Sequence, residues 1–550
     1  MDISTPLILA NWAKLLDNHP EKSFVQLILG GIQYGFRVGF NYTQQTLKGK
    51  PRNLLSTQDH PAVVDAYISK ELALGRIVHI PDPGILPWFH CSPIGIIPKK
   101  HKPDKWRLIV DLSAPDGHSV NDGIEKALCS LTYISVDRVA ETVLQLGPGT
   151  LLAKMDIKEA FRIVPIHPSD RLLLAMQWKG KWYIDKVLPF GLRSAPLLFT
   201  ALADAVEWVI RQKGVMYIWH YMDDFILAGG PDSDQCAAFI ALALQVFRVL
   251  GIPIELSKSE GPATTLSVLG IEIDTVAMQL RLPADKLRRL QEATAAWRGR
   301  KCCTKRELLS LIGSLQHAAT VIRPGRSFVR RMIDLSCSRK HVEARIRLNR
   351  EFRSDLEWWF HLAAVWNGVS ILAPLKAENP DLEITSDASG TWGCGAFSEG
   401  EWFQLQWDSS LASVDISIKE LIPIIIASML WGHKWKGKTV RALCDNMAIV
   451  HVLRSKHSKD SELMHLLRCL SMIECAYGFT LVSKHLPGKL NLLADALSRD
   501  KLPLFRSHYP QALPDPTPIP PVVLQLLVKQ KPDWTCTNWA NHFRITTFRD

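Results

Sequence analysis

Cysteine is sparse in this chain: 11 residues among 550, with Cys302 and Cys303 the only close pair. No CxxC pair and no Cys/His finger spacing occurs. That argues against structural zinc and against a disulfide framework. Reduced thiols in an intracellular setting, cytoplasm or nucleus, are expected instead. Long apolar runs are missing as well. The most apolar stretch, Leu421 to Trp431, is too short to span a bilayer and is interrupted by Pro423, so no membrane partner is expected. The opening Met1-Asp2-Ile3 has neither a basic flank nor an apolar core, and no signal peptide is expected from it. No internal repeat is visible, which argues against a solenoid. No Asp-Thr-Gly or Asp-Ser-Gly triplet suggests an aspartic protease.

What is present is the composition of a globular protein, 47% hydrophobic and 22% charged. The length calls for two to four domains. Lys and Arg outnumber Asp and Glu by 65 to 54, a net charge of +11. Such an excess suits a polyanionic partner, and it also serves solubility.

The chain divides by texture. Residues 1–68 form a mostly helical lead-in without recognisable chemistry. Residues 69–275 carry short β-runs, among them Ile94 to Ile97, Trp106 to Val110 and Leu151 to Ile157. Leu172 to Trp178 and Trp182 to Val187 form a hairpin around a Lys179-Gly180-Lys181 loop, and a helix is expected from Ala195 to about Gln212. Residues 276–375 are helical and basic, and β-runs alternate with helices over 380–500. Residues 501–550 begin with a Pro-rich stretch, Leu513 to Pro521, expected to be an extended linker.

Between Met216 and Ala228, apolar and aromatic residues flank Asp223 and Asp224. A hairpin there holds both acids at its tip, although neighbouring strand residues point to opposite faces. An isolated acid pair between strands is more often a polar turn than a site. A third acid, Asp156, ends the apolar run Leu151 to Met155, and carboxylates from neighbouring strand ends can hold paired Mg²⁺ ions.

Lys154-Met155-Asp156-Ile157-Lys158-Glu159-Ala160-Phe161, then Leu188-Pro189-Phe190-Gly191-Leu192-Arg193-Ser194-Ala195-Pro196, then Tyr221-Met222-Asp223-Asp224 resemble, in order and spacing, the palm motifs of retroelement reverse transcriptases. Lys105 to Asp111 is similar to the fingers strand of that family, and Gly251 to Lys258 and Val268-Leu269-Gly270 to its late palm and primer grip. The resemblance implies a multidomain α+β fold, a right-hand polymerase of fingers, palm and thumb. It implies Asp156 and Asp223 as primary metal ligands and Asp224 as a less direct one. It places Lys100 and Arg107 on the incoming triphosphate, Phe161 against its sugar, and Phe190 and Gly191 in the nucleotide pocket. Phe190 stands where some viral relatives have Gln, which removes an amide role. Lys258 is implied as the proton donor to pyrophosphate.

A second series of acids follows residue 380. Asp387 ends a strand in Ile384 to Gly390, and Glu420 lies in Ser417-Ile418-Lys419-Glu420-Leu421, which opens an apolar helix with Pro423 in its first turn. Asp445 ends the strand Ala442-Leu443-Cys444, and His485 and Asp495 lie in the run His485 to Arg499. The order Asp, Glu, Asp, His, Asp resembles the ribonuclease H domain of retroelement polymerases. It implies an α/β domain in which Asp387, Glu420, Asp445 and Asp495 hold two Mg²⁺, with Mn²⁺ able to replace them, and His485 assists proton transfer or product release. The implied partners are RNA template, DNA primer, RNA·DNA hybrid and dNTPs. The ending Ala-Asp-Ala-Leu-Ser-Arg resembles gypsy-like and DIRS-type elements, and Asp533 to Trp539 resembles the start of a recombinase region, cut short. A decayed or domesticated copy that binds RNA or hybrid without catalysis is the alternative function.

Overall fold

A computed structural model describes residues 5–42, 52–82, 84, 86, 88–99, 102–365, 367–370, 379–521 and 523. Lys100 and the recombinase-like run Asp533 to Trp539 therefore lie outside the described residues. The chain forms two compact units: Met1–Leu269 with Asp274–Ala277, and Gly270–Ile273 with Met278–Asp550.

In the first unit a four-stranded antiparallel sheet runs in the order Ile218–Tyr221, Asp224–Gly229, Leu151–Asp156, Glu260–Ala263. Its strands are apolar on the side covered by helices Ala195–Gln212 and Gln235–Leu250, where Phe199, Val206, Phe225 and Phe247 are solvent-free. Helix Leu9–Leu16 of the lead-in docks on this core, its Trp12 indole donating to Leu250 O at 2.9 Å. The lead-in is not all helix, because Phe36 and Phe40 form single bridges to Ile166 and Ile124. Beside this core stand the hairpin Ile94–Lys99 and Lys102–Val110, and a sheet ordered Ile77–Ile80, Lys181–Asp185, Ala175–Trp178. Its hairpin loop is two residues, not three. Lys181 pairs with Trp178, and Lys179 and Gly180 both take positive φ, the backbone a tight right-twisted hairpin requires.

In the second unit, helices Ala284–Arg298, Lys305–Ala318, Arg330–Cys337 and Arg350–Val365 fill the basic region. Thr304 and Glu307 exchange side-chain bonds in a capping box that starts the second of these. Short strands interrupt them: Cys302–Thr304 pairs with Arg345–Arg347. The following sheet has the order Glu401–Gln406, Gly393–Ser398, Leu382–Ala388, Thr439–Cys444, Thr480–His485. Its first two pairings are antiparallel and its last two parallel. Parallel neighbours need a crossover, supplied by helices Ile416–Trp431 and, in the second connection, Met447–Ser455 and Ser461–Tyr477. The whole is an α+β multidomain chain, a right-hand polymerase sheet and then, in sequence, a ribonuclease H-like α/β domain.

Two expectations change here. The apolar stretch extends to a 19-residue helical segment, Ile416–Lys434, long and apolar enough to cross a membrane by length and composition, with 72% of its apolar window buried in the domain. Pro423 sits inside this helix, not in its first turn, because Asp415 caps the helix earlier by accepting from Ser417 N at 2.8 Å. The Pro-rich stretch is also no free linker. Leu513 N and Thr517 N donate to Gly400 O and Trp402 O, and the Trp402 indole donates to Leu513 O at 2.9 Å. An edge strand leaves backbone groups unpaired, and this segment satisfies part of that edge.

Candidate active sites

The first site grows from strand register. Asp156 pairs directly with Asp224, and Tyr221 with Asp224, so Met222 and Asp223 make a two-residue turn beside the end of the Asp156 strand. Met222 takes φ +55°, and Asp223 O accepts from Ile157 N at 2.9 Å. The acids feel one another. Burial raises the Asp223 carboxyl, with the Asp156 charge adding to it and Lys258 and Arg107 opposing. Burial also pushes Asp224 up to about 6, against Lys154 and with Asp223 and Asp156 adding. Three half-buried or buried carboxylates, of which Asp223 and Asp224 are raised by burial and by their acidic neighbours, form an all-oxygen donor set of the kind hard divalent cations take, so the residues fit Mg²⁺. Lys258 Nζ donates to Asp156 Oδ1 at 2.8 Å and Oδ2 at 3.1 Å, and that bond raises its own pKa.

The nucleotide-pocket candidates also converge. Phe161 lies 5.3 Å from Phe190, ring centre to ring centre, and the Arg107 guanidinium stands 5.4 Å over the Phe190 ring. Gly191 adopts φ +98°, and a Cβ there would meet Val110 O at 3.0 Å, so a close approach and a left-handed backbone both demand glycine. Asn121 holds this turn, donating to Gly191 O at 2.9 Å and accepting from Arg193 N at 2.8 Å.

In the second unit Asp387, Glu420 and Asp445 come together. Burial first, then the charges of Asp387 and Asp445, push Glu420 up to about 9. Asp387 rises to about 6 by burial, with Asp445 and Asp495 adding against a hydrogen bond from Ser498. One ligand atom each from Glu420, Cys444 and Asp445 lie within 4.8 Å of one another, the one such cluster among the described residues. Its carboxylates fit a divalent cation, whereas burial and the Glu420 charge hold the Cys444 thiol well above its usual range and so neutral. Asp495 stands at its margin, held by Arg499 Nε at 2.5 Å. His485 Nε2 is 3.0 Å from Asp445 O, and since a carbonyl only accepts, that nitrogen carries the hydrogen.

Against known proteins, residues 97–273 match the family model described as reverse transcriptase (RNA-dependent DNA polymerase). These residues are a reverse transcriptase domain. Over 431 residues the chain is 25% identical to the retrovirus-related Pol polyprotein from transposon opus of Drosophila melanogaster, covering 74% of this chain and 39% of that protein. It is 30% identical over 198 residues to the Gag-Pro-Pol polyprotein of simian retrovirus SRV-2, covering 34% and 10%. It is 23% identical over 370 residues to a putative enzymatic polyprotein of Cassava vein mosaic virus, covering 63% and 52%. The chain thus spans from a tenth to about half of these relatives' length. A solved foamy viral protease-reverse transcriptase in complex with RNA/DNA hybrid is 16% identical, with a TM-score of 0.48 over 86% of this chain and 62% of that one.

The first unit also contains site-supporting residues that lie outside the motif positions. Arg162, 4% exposed, donates to Asp185 Oδ2 at 2.7 Å and to Glu71 Oε2 at 2.6 Å. It directly follows Phe161, so this buried ion cluster anchors the turn Ala160–Ile163 that carries the ring. In the second unit Asn491 donates to Asp387 Oδ1 at 3.2 Å and Ser498 Oγ to Asp387 Oδ2 at 2.5 Å, fixing that carboxylate. Asn491 lies in the same motif run as His485 and Asp495.

Proposed function

We propose that this chain is an RNA-directed DNA polymerase with ribonuclease H activity, copying retroelement RNA into DNA and degrading the RNA strand of the hybrid. The observation that carries this reading is the register that sets Asp156 opposite Asp224, with Asp223 in the adjoining turn. Mg²⁺ held there, two ions per site, would activate a primer 3′-hydroxyl and neutralise triphosphate charge, and in the nuclease would activate water. Asp156 and Asp223 are the primary ligands and Asp224 a less direct one. Arg107, with Lys100, binds triphosphate oxygens, for which a guanidinium fork is suited. Phe161 packs where a 2′-hydroxyl would project, so deoxynucleotides are the substrates, and Phe190 walls the pocket. Lys258 Nζ delivers a proton to the departing pyrophosphate.

Residues 69–275 are fingers and palm, 276–375 thumb and connection, and 380–500 the nuclease. Asp387, Glu420, Asp445 and Asp495 hold the nuclease cations. With Nε2–H committed to Asp445 O, His485 has Nδ1 for moving a proton. RNA template, DNA primer, their hybrid and dNTPs are the partners, and the element is DIRS-type or gypsy-like, working inside the cell.

The test is primer extension on an RNA template with Mg²⁺. Asp223→Asn should abolish extension by a folded protein, and extension that persists unchanged sinks the polymerase assignment. Asp445→Asn should abolish cleavage of hybrid RNA and leave extension intact. Persistent cleavage would remove Asp445 from the nuclease site, and a wild-type chain that binds hybrid without cleaving it would leave hybrid binding without hydrolysis.

A further inference from the structure

Within the second unit, a cleft formed by none of its carboxylate-site residues is lined by Phe328, Arg331, Ser354, Trp358, His465 and Arg468. Phe328 and Trp358 stack at 3.8 Å between ring centres and 9° between planes, giving the cleft a rigid apolar wall. Behind it lies Asp355, which has no exposed side-chain surface. Arg331 donates to both Asp355 oxygens, through Nε at 2.9 Å and through Nη2. Arg468 donates Nε to Ser327 O at 3.1 Å, and that same nitrogen lies 3.8 Å from Asp355 Oδ1.

The donors are not used up. Among the described residues, neither terminal nitrogen of Arg468 nor Nη1 of Arg331 has an acceptor. Charge is out of balance too. Two guanidinium groups face the Asp355 carboxylate; of the other acids nearby, Asp334 is paired with Arg330 at 2.6 Å, and Glu351 is exposed one turn away on the same helix. Arg468 stays cationic at neutral pH, although burial brings it down to about 10. Unspent N–H groups of two arginines against an apolar wall are suited to an anion with several acceptor oxygens, and reduced solvent screening strengthens their pull.

We infer that this cleft binds a backbone phosphate of a nucleic-acid strand, a contact that positions the strand without reading its bases. The inference rests on the proposed handling of RNA·DNA hybrid, and the net charge of +11 favours a polyanion over a single small anion.

The test uses the full chain and a fluorescent RNA·DNA hybrid, with affinity measured across KCl concentrations. Arg468→Lys keeps the charge and loses the fork. Ser354→Asp, at a half-exposed wall of the cleft, adds a repelling carboxylate and decides the matter if the first variant does not fold. Each folded variant is expected to bind roughly 3–10-fold more weakly, and Ser354→Asp to lower the salt slope by about one. The thermal unfolding midpoint of Ser354→Asp should stay unchanged. Wild-type affinity and slope in both variants would overturn the inference. So would inorganic phosphate raising the wild-type unfolding midpoint while hybrid binding ignores both variants, because the cleft would then take free anion only. A wild-type chain that binds no hybrid would defeat the functional reading itself, a result separable from variants that merely match wild type.

Discussion

Lys258 Nζ covers both oxygens of Asp156, at 2.8 and 3.1 Å, so one ammonium sits on the carboxylate expected to hold a divalent cation. The two cations compete for one acceptor. Lys258→Met should therefore lower the Mg²⁺ concentration needed for half-maximal extension. As the proton donor is also lost, kcat should fall on the order of 10²-fold. Single-nucleotide incorporation titrated with Mg²⁺ reads both, and an unchanged Mg²⁺ requirement would refute the competition.

Arg162 is enclosed with Glu71 and Asp185, all three less than 5% exposed. Removing one member of a buried ion cluster leaves the others uncompensated. Arg162→Met should cost about 3–5 kcal/mol in denaturant unfolding. A milder exchange that still folds, Asp185→Asn, should raise the KM for dNTP, because the turn carrying Phe161 loses an anchor. Stability loss without any change in KM would separate the cluster from the pocket.

Gly191→Ala places a Cβ 3.0 Å from Val110 O on a backbone of φ +98°. Strain of roughly 1–3 kcal/mol is expected. The Phe190 wall should shift with it, so dNTP affinity in extension assays should fall more than affinity for template and primer.

Glu159, two positions before Phe161, is raised by burial but brought down overall to about 2 by Lys70 and Arg76. A depressed carboxyl contributes stability that is full above its unfolded value near 4.5 and is lost as pH falls through about 2. Stability should thus decline on acidification across that window, and Glu159→Gln should flatten the decline. Unfolding midpoints measured from pH 5 downward, at about one-unit steps, test it. A variant with the wild-type pH profile would place the acid sensitivity elsewhere.

Asp156, Asp223, Asp224, Asp387 and Asp445 were legible without coordinates because each lies at or next to a strand end, where a short apolar run and a turn place the carboxylate locally. Helix Ala195–Gln212 was legible for the same reason, from its apolar spacing. The helix opening near Ser417 was legible, but Pro423 lies inside the helix and not in its first turn, because the cap at Asp415 sets the start. The docking of the Pro-rich stretch on Gly400 and Trp402 was invisible in composition, which reports stiffness but not an open sheet edge.

The sequence by itself determined which acids could serve each site and in what order they would meet, because motif spacing is a local property of strands and turns. Tertiary structure alone decided what those acids touch. Lys258 on Asp156, Asn491 and Ser498 on Asp387, Arg162 between Glu71 and Asp185, and the two arginines around Asp355 all join segments distant in the chain. Their strength comes from burial that only the packed fold provides, and no pattern in the unfolded chain encodes which charge will share a desolvated pocket with which partner.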